Sequence, residues 1–311
     1  MPENKDAVHA ALQNLPPFAG VEPDSYKRTR LGGLTNLVYR IETDAQTLIV
    51  RIPGAGTEDY IDRKIELHNA RAAARAGVSA EVLWADGATG VMISQSLDPI
   101  ITMTPDLFRT RKGTATRAGN ALATLHNSGE EFQFRFELFS MISDYLGILA
   151  GKDTDLPEGY PDIVAAAEPV KQILADNPTP LAPCHCDPLC ENFLDDGQKM
   201  WIVDWEYSGM NDPLWDLGDL SVEAGFDDAQ DMEMLRAYYG RDPEATEIGR
   251  MVIYKAMCDL LWTLWGLIQH ADGNKAEDFW AYSVGRFDRC KALMQSPDFA
   301  HHLAAIGKTT R

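Results

Sequence analysis

His185-Cys186-Asp187-Pro188-Leu189-Cys190-Glu191-Asn192-Phe193-Leu194, followed after a short turn by Trp201-Ile202-Val203-Asp204-Trp205-Glu206, is the stretch that decides the fold. It reads as an irregular stretch, about 182–204, that contains two short strands separated by the turn Asp195-Asp196-Gly197. Asp187 and Asn192 stand close enough on one loop to face a common cleft, and the turn brings Asp204 back beside them. A carboxylate to orient an acceptor hydroxyl and hard oxygen ligands to hold magnesium are the parts that phosphoryl transfer from ATP requires. Asp187 suits the first role, and Asn192 and Asp204 suit the second. A lone His-x-Asp would read as a solvated acidic loop. The full spacing, with an apolar strand leading into Asp204, is far more specific.

Outward from this stretch the chain has two textures. On the N-terminal side, residues 4–15 read as a short helix stopped by Pro16 and Pro17. Ser25–Leu31, Asn36–Glu42 and Thr47–Ile52 are β-rich, Thr57–Ala76 is helical and closed by Gly77, and two short strands follow at Glu81–Ala85 and Val91–Gln95. Beyond Pro99 helical patterns dominate, at about 105–127, 136–150, 160–176, 212–225, 228–239, 244–271 and 276–294. The expected fold is α+β and two-lobed: residues 1–95 form a small antiparallel, nucleotide-binding β lobe with an N-terminal helix. Residues 96–311 form a larger helical lobe with the catalytic loop and the substrate pocket. A cleft between lobes is a common ligand site.

The small lobe offers partners for phosphate. Leu31-Gly32-Gly33-Leu34-Thr35-Asn36 joins two strands, and its glycines allow close approach of backbone amides to phosphate, although a Gly-Gly hairpin is also an ordinary turn. Arg51, at the end of Leu48-Ile49-Val50-Arg51, offers a permanently charged bidentate fork. Glu66 in the next helix is its natural ion-pair partner, or else a surface charge.

The catalytic stretch resembles that of the protein-kinase-like superfamily, in the version found in aminoglycoside phosphotransferases and choline kinases. Asp-Trp-Glu stands where protein kinases have Asp-Phe-Gly, and no Ala-Pro-Glu motif follows, so a protein substrate is not expected. The resemblance implies Asp187 as base and Asn192 and Asp204 as magnesium ligands. The block Asp204-Trp205-Glu206-Tyr207-Ser208-Gly209-Met210-Asn211-Asp212-Pro213-Leu214-Trp215-Asp216-Leu217 is similar to that of choline and ethanolamine kinases. The segments Asn36–Arg40 and Arg51-Ile52-Pro53-Gly54 through Ile61-Asp62-Arg63 look like the bacterial LicA type of choline kinase. These proteins place an Arg where Arg51 stands. They line the choline pocket with two tryptophans and a tyrosine, to which Trp262, Trp265 and Tyr282 correspond, and with a carboxylate that aligns with Glu223.

A trimethylammonium group donates no ordinary hydrogen bonds and is held by aromatic faces with a carboxylate nearby. At roughly 100° per residue, the apolar stripe of 244–271 runs through Ile253, Met257, Leu260, Leu261, Leu264, Leu267 and Ile268 and leaves Trp262 and Trp265 outside it. Periodicity alone favours a helix buried on both sides, and the resemblance makes the pair a cation cage. Glu223 has a plain alternative as an exposed helix charge. Glu206 would contact magnesium through water or hold a cationic group. Asp216 is expected to brace the catalytic loop, and His126 to cap or pack a helix end.

The expected reaction is ATP- and magnesium-dependent phosphorylation of choline. Ethanolamine, an aminoglycoside or another small amino alcohol is the alternative acceptor, and a catalytically inactive ligand-binding protein is the second alternative. The net charge of −19 disfavours nucleic acid and anionic membranes and favours a small cationic partner. The N-terminus MPENKDAVHAALQNL is not a signal peptide, and no stretch reads as a membrane span, so a cytoplasmic protein is expected. Nothing in the sequence indicates an oligomer. Cys184, Cys186 and Cys190 fit no standard zinc spacing and read as reduced thiols.

Overall fold

The computed structural model describes residues 3–31, 36–54 and 61–307. Strands β1 (Lys27–Arg30), β2 (Leu37–Glu42), β3 (Thr47–Ile52), β4 (Val82–Ala85) and β5 (Met92–Gln95) form one antiparallel sheet in the order β1-β2-β3-β5-β4. The period-2 alternation of strands sets its two faces. Tyr39, Ile41, Leu48, Val50 and Ile93 are buried in one cluster with Val8 and Leu12 of helix α1 (Glu3–Leu12). Arg51 lies between Val50 and Ile52 on β3 and therefore points to the opposite face, as does Val38, its partner on β2. Helix α2 (Arg63–Arg75) starts at Asp62, whose carboxylate accepts from the backbone N–H groups of Lys64 and Ile65. Of the helix expected over 57–76, residues 57–60 lie outside the described residues.

The helical part contains α3 (Pro105–Thr110), α4 (Thr114–His126), α5 (Leu138–Leu149), α6 (Tyr160–Ala166), α7 (Glu168–Asp176), α8 (Leu214–Ala224), α9 (Asp228–Tyr239), α10 (Ala245–Ala271), α11 (Phe279–Met294) and α12 (Phe299–Ile306). Two expected helices are divided. The pattern at 105–127 breaks at Gly113, whose φ of 74° no right-handed helix accommodates. The pattern at 160–176 breaks at Ala167, because Pro169 in the first turn of α7 has no N–H with which to continue α6. Helix α12 carries only two turns of signal and has no counterpart in the sequence reading.

Short strands frame the catalytic loop. Strands β6 (Ile101–Thr102), β8 (Phe193–Asp195) and β9 (Met200–Ile202) make one small sheet, and β7 (Ala182–Cys184) pairs with β10 (Gly209–Asn211). Ala70, Ala72 and Ala73 of α2, with Val78 after it, are buried in the same apolar cluster as the helical part. The N–H of Ile202 also donates to the Val78 carbonyl. Helix α2 and the residue Val78 after it are thereby tied to β9 and to the helical part.

One expectation about membranes needs correcting. By length and composition α10 is apolar enough to cross a bilayer, but 78% of its most apolar window is buried within the protein. Helix α10 packs against α5, α8, α11 and α12, so its hydrophobicity is that of a central core helix.

Candidate active site

The loop after β7 is held from beneath by the start of α8. Asp216 is fully buried and accepts the backbone N–H groups of His185 at 2.7 Å and Cys186 at 2.8 Å. Trp215 Nε1–H donates to the Cys186 carbonyl at 3.0 Å. These contacts fix Cys186 at φ 66°, a left-handed conformation that costs a non-glycine residue about 1–2 kcal/mol. His126 and Asp216 are 3.0 Å apart through Nε2, and the hydroxyl of Tyr238 lies 3.0 Å from His126 Nδ1. His126 is thus part of a buried chain that buttresses Asp216, beyond the capping or packing expected of it. On the other side of the loop, His185 Nε2 lies 2.9 Å from the Val203 carbonyl, and its Nδ1 accepts the Asp187 N–H.

Asp187 follows this strained turn. Asn192 Nδ2 donates to the Asp187 carbonyl at 3.1 Å, which leaves the amide oxygen of Asn192 as its free ligand atom. Burial raises the carboxyl pKa of Asp187 well above the usual range, and the charges of Asp219, Glu223, Glu206 and Asp204 raise it further. Asp204 follows β9 at φ 68°, a conformation that Asp adopts more readily than most side chains.

The small lobe reaches down to Asp204. Arg51 Nη1 donates to Asp204 Oδ1 at 2.8 Å, and Arg51 is also in ion-pair contact with Glu66. Asn36 Nδ2 lies 3.3 Å from Asp204 Oδ2 and 3.2 Å from Glu206 Oε2. Arg63 bridges Glu66 at 2.8 Å and Glu206 at 3.4 Å. Burial and the Asp204 charge push Glu206 up to about 7, against the pull of Arg51. Burial disfavours the Arg51 cation, but Glu66, Asp204 and Glu206 outweigh it and raise its pKa. Arg63 was not singled out in the sequence, although it stands three residues before Glu66 on the same helical face. Gly32, Gly33 and Thr35 lie outside the described residues.

Glu66, Asp204 and Glu206 place carboxylate oxygens within 4.8 Å of one another. Glu66 is held by Arg51 and Arg63, which leaves Asp204 and Glu206 as the hard oxygen donors of that group, of the kind magnesium takes.

The aromatic residues of α10 and α11 converge on the same region. The Trp262 and Trp265 rings are perpendicular, with centroids 6.5 Å apart. Trp265 meets Tyr282 edge-on at 6.0 Å, and Tyr207 meets Trp262 at 5.6 Å. Trp265 Nε1–H donates to the Tyr207 hydroxyl and Trp262 Nε1–H to Asp219 Oδ2, each at 3.1 Å. Trp262 is buried and Trp265 half-buried, so the pair is part of the packed core as well as of this cluster. Tyr207 and Asp219 were not selected from the sequence. Tyr207 lay inside the quoted block beside Glu206, and Asp219 one helical turn after Asp216. Glu223 is not an exposed helix charge: it is in ion-pair contact with the buried Arg286, whose guanidinium lies 4.5 Å from the Tyr282 ring centroid.

The three buried cysteines of the loop region do not converge. Cys184 Sγ contacts the Asn211 carbonyl, Cys186 Sγ the Cys184 carbonyl, and all five cysteines are free thiols.

An antiparallel lobe set over a helical lobe, with Asp187, Asn192 and Asp204 at their meeting point, defines a kinase-like phosphotransferase with an alcohol group as acceptor. Residues 28–248 match the model of the phosphotransferase enzyme family, and the chain belongs to that family. A choline/ethanolamine kinase family protein from Mesorhizobium loti has a crystal structure with 57% identity and a TM-score of 0.88. The match covers 97% of this chain and 98% of that one. The choline kinase LicA from Streptococcus pneumoniae superposes with a TM-score of 0.78 at 27% identity, over 94% of this chain and 99% of the other. Protein LicA of Haemophilus influenzae is 28% identical over 301 residues, 94% of this chain and 84% of its own length. The likeness to choline and ethanolamine kinases seen in the catalytic stretch therefore extends over almost the whole chain.

Proposed function

We propose that this chain transfers the γ-phosphoryl group of ATP to the hydroxyl of a small amino alcohol, with choline as the acceptor that its aromatic cluster favours. The observation that carries this reading is the joining of two groups of residues at one place. Asn36 links Asp204 to Glu206, and Tyr207, the next residue, meets the Trp262 ring and accepts from Trp265, so the acidic group around Asp204 runs directly into the aromatic cluster. An amino alcohol would lie with its hydroxyl beside Asp187 and its ammonium among Trp262, Trp265, Tyr207 and Tyr282.

In this reading Asp187 orients the hydroxyl and accepts its proton as the in-line transfer proceeds. Asn192 and Asp204 would hold magnesium, with Glu206 beside them, and the ion would neutralise charge on the transferring phosphoryl group. Arg51, positioned by Glu66, supplies positive charge at the same place. Asp216 and His126 keep the loop in its left-handed turn. Positioning and charge neutralisation supply most of the rate.

Ethanolamine is the second reading, favoured by the number of carboxylates around the aromatic cluster. A primary ammonium needs acceptors, whereas a trimethylammonium needs only charge and apolar walls. The test is ADP release with choline and ethanolamine side by side, in wild type and Asp187→Ala. Turnover with choline that disappears in the variant while nucleotide binding persists supports the reading. Undiminished turnover removes Asp187 from its role. A higher kcat/KM for ethanolamine removes choline as the favoured acceptor.

A further inference from the structure

The buried charges around Trp262 do not balance. Arg286 donates to Asp259 Oδ1 at 3.1 Å and contacts Glu223, and Arg289 makes two hydrogen bonds to Asp259 at 2.7 and 3.0 Å. These two cations are thus committed to Glu223 and Asp259. Asp219, on the same face of α8 as Glu223, is only 1% exposed, yet it forms no salt bridge among the described residues. Its Oδ2 accepts from Trp262 Nε1, while its Oδ1 is shielded from water and meets no hydrogen-bond donor at bonding distance among the described residues; the nearby Cys258 thiol, a weak donor, is turned to the Lys255 carbonyl. A buried carboxylate oxygen without a donor is costly, and the cost falls when a ligand supplies one.

Resting on the amino-alcohol reading above, we infer that Asp219 is a specificity-determining residue of the ammonium pocket, whose unpartnered Oδ1 accepts an N–H from a primary ammonium. Two properties of the site point there. Asp219 is tied to Trp262, one wall of the aromatic cluster, and its charge is the foremost charge acting on Asp187. The Glu223 carboxylate is already engaged by a guanidinium, whereas Asp219 has an acceptor to spare. A trimethylammonium gains only the charge of Asp219. A primary ammonium gains the charge and a hydrogen bond that the aromatic rings do not offer. Asp219 therefore widens to primary ammonium a pocket whose walls favour a quaternary one.

Burial and the neighbouring Glu223 also raise the Asp219 carboxyl well above the usual carboxylate range. Arrival of a cation reverses that effect, so binding should be accompanied by proton release.

The experiment measures kcat/KM for ethanolamine and choline in wild type, Asp219→Asn and Trp262→Phe. In Asp219→Asn the amide keeps an acceptor for Trp262 but presents N–H to the ammonium. The ethanolamine-to-choline ratio should fall on the order of tenfold or more, one charge-assisted hydrogen bond being worth that much. Trp262→Phe keeps an aromatic face and frees Oδ2, so the ratio should rise; this variant decides the matter if Asp219→Asn does not fold. Calorimetry in two buffers of different ionisation enthalpy should show less proton release on ethanolamine binding to Asp219→Asn than to wild type. A ratio unchanged in both variants overturns the inference and leaves Asp219 as a packing partner of Trp262. Wild type that phosphorylates neither amino alcohol overturns instead the reading on which the inference rests.

Discussion

Replacing Asp216 by Asn should unfold the catalytic loop before it unfolds the protein. Asp216 is fully buried, and its two oxygens accept two backbone N–H groups and face one imidazole nitrogen. An amide has only one acceptor oxygen. The less costly orientation gives up Oδ1 and sets an NH2 group against the Cys186 N–H. One charge-assisted hydrogen bond is lost, at about 1.5–3 kcal/mol, and a buried N–H is left unsatisfied at about 1–3 kcal/mol. A loss of about 4 kcal/mol follows. With an unfolding entropy of about 2 cal/mol/K per residue, a chain of 311 residues should lose about 6 °C in Tm. Cys186 would also lose the contact that holds it at positive φ, and Asp187, the next residue, would move with it. A shift of about 1 Å at the base costs on the order of 100-fold in kcat. The assay pairs a fluorescence-monitored melt with ADP release at a temperature where the variant is folded. A Tm within 2 °C of wild type together with an unchanged kcat would refute the claim that Asp216 maintains the loop.

The pH dependence of stability should be inverted for this cluster. The folded-state pKa values of Glu206, Asp187 and Asp219 are raised, so the folded chain holds protons that the unfolded chain has released. Their contribution is complete below the unfolded pKa and is lost as pH rises through the folded value. Glu206 alone, raised from 4.5 to about 7, accounts for a loss on the order of 3 kcal/mol across that interval. Urea titrations of the ligand-free protein between pH 5 and 8 should show it, and Glu206→Gln should flatten the slope; a slope equal in wild type and variant contradicts the assignment. Gly266→Ala tests the seam between α10 and α11. A Cβ there would lie 2.4 Å from Ser283 Oγ and 2.6 Å from Tyr282 Cδ1. Stability should fall by about 1–3 kcal/mol and the KM for the amino alcohol should rise while that for ATP holds, since the clash displaces Tyr282. An unchanged amino-alcohol KM would place the Tyr282 ring away from the substrate.

The catalytic stretch was legible because its parts are local. Asp187 and Asn192 share one loop, and the single hairpin of β8 and β9 returns the chain to Asp204, so local structure alone brings them together. The sheet was legible for the same reason: alternation along β2 and β3 follows from short strands with one buried face. Helix lengths were less so. Gly113 and Pro169 divided two apolar patterns, since a 3.6-residue period persists across a break in the backbone. Helix α10 was legible as a helix buried on both sides, although hydropathy alone cannot distinguish lipid from protein as the surrounding medium.

The sequence by itself determined the resemblance to phosphotransferases and the candidates for the base, the hard oxygen ligands and the aromatic pocket. Only the tertiary structure decided which charges are paired. Arg51 and Asp204 lie 153 residues apart, and Glu223 and Arg286 lie 63 apart, yet each pair is in contact. Among the described residues, those contacts leave the half-buried Asp187 and the buried Asp219 without a salt bridge of their own. The strength of a charge depends on its burial and its nearest neighbours in space, and neither quantity is written in the order of residues along the chain.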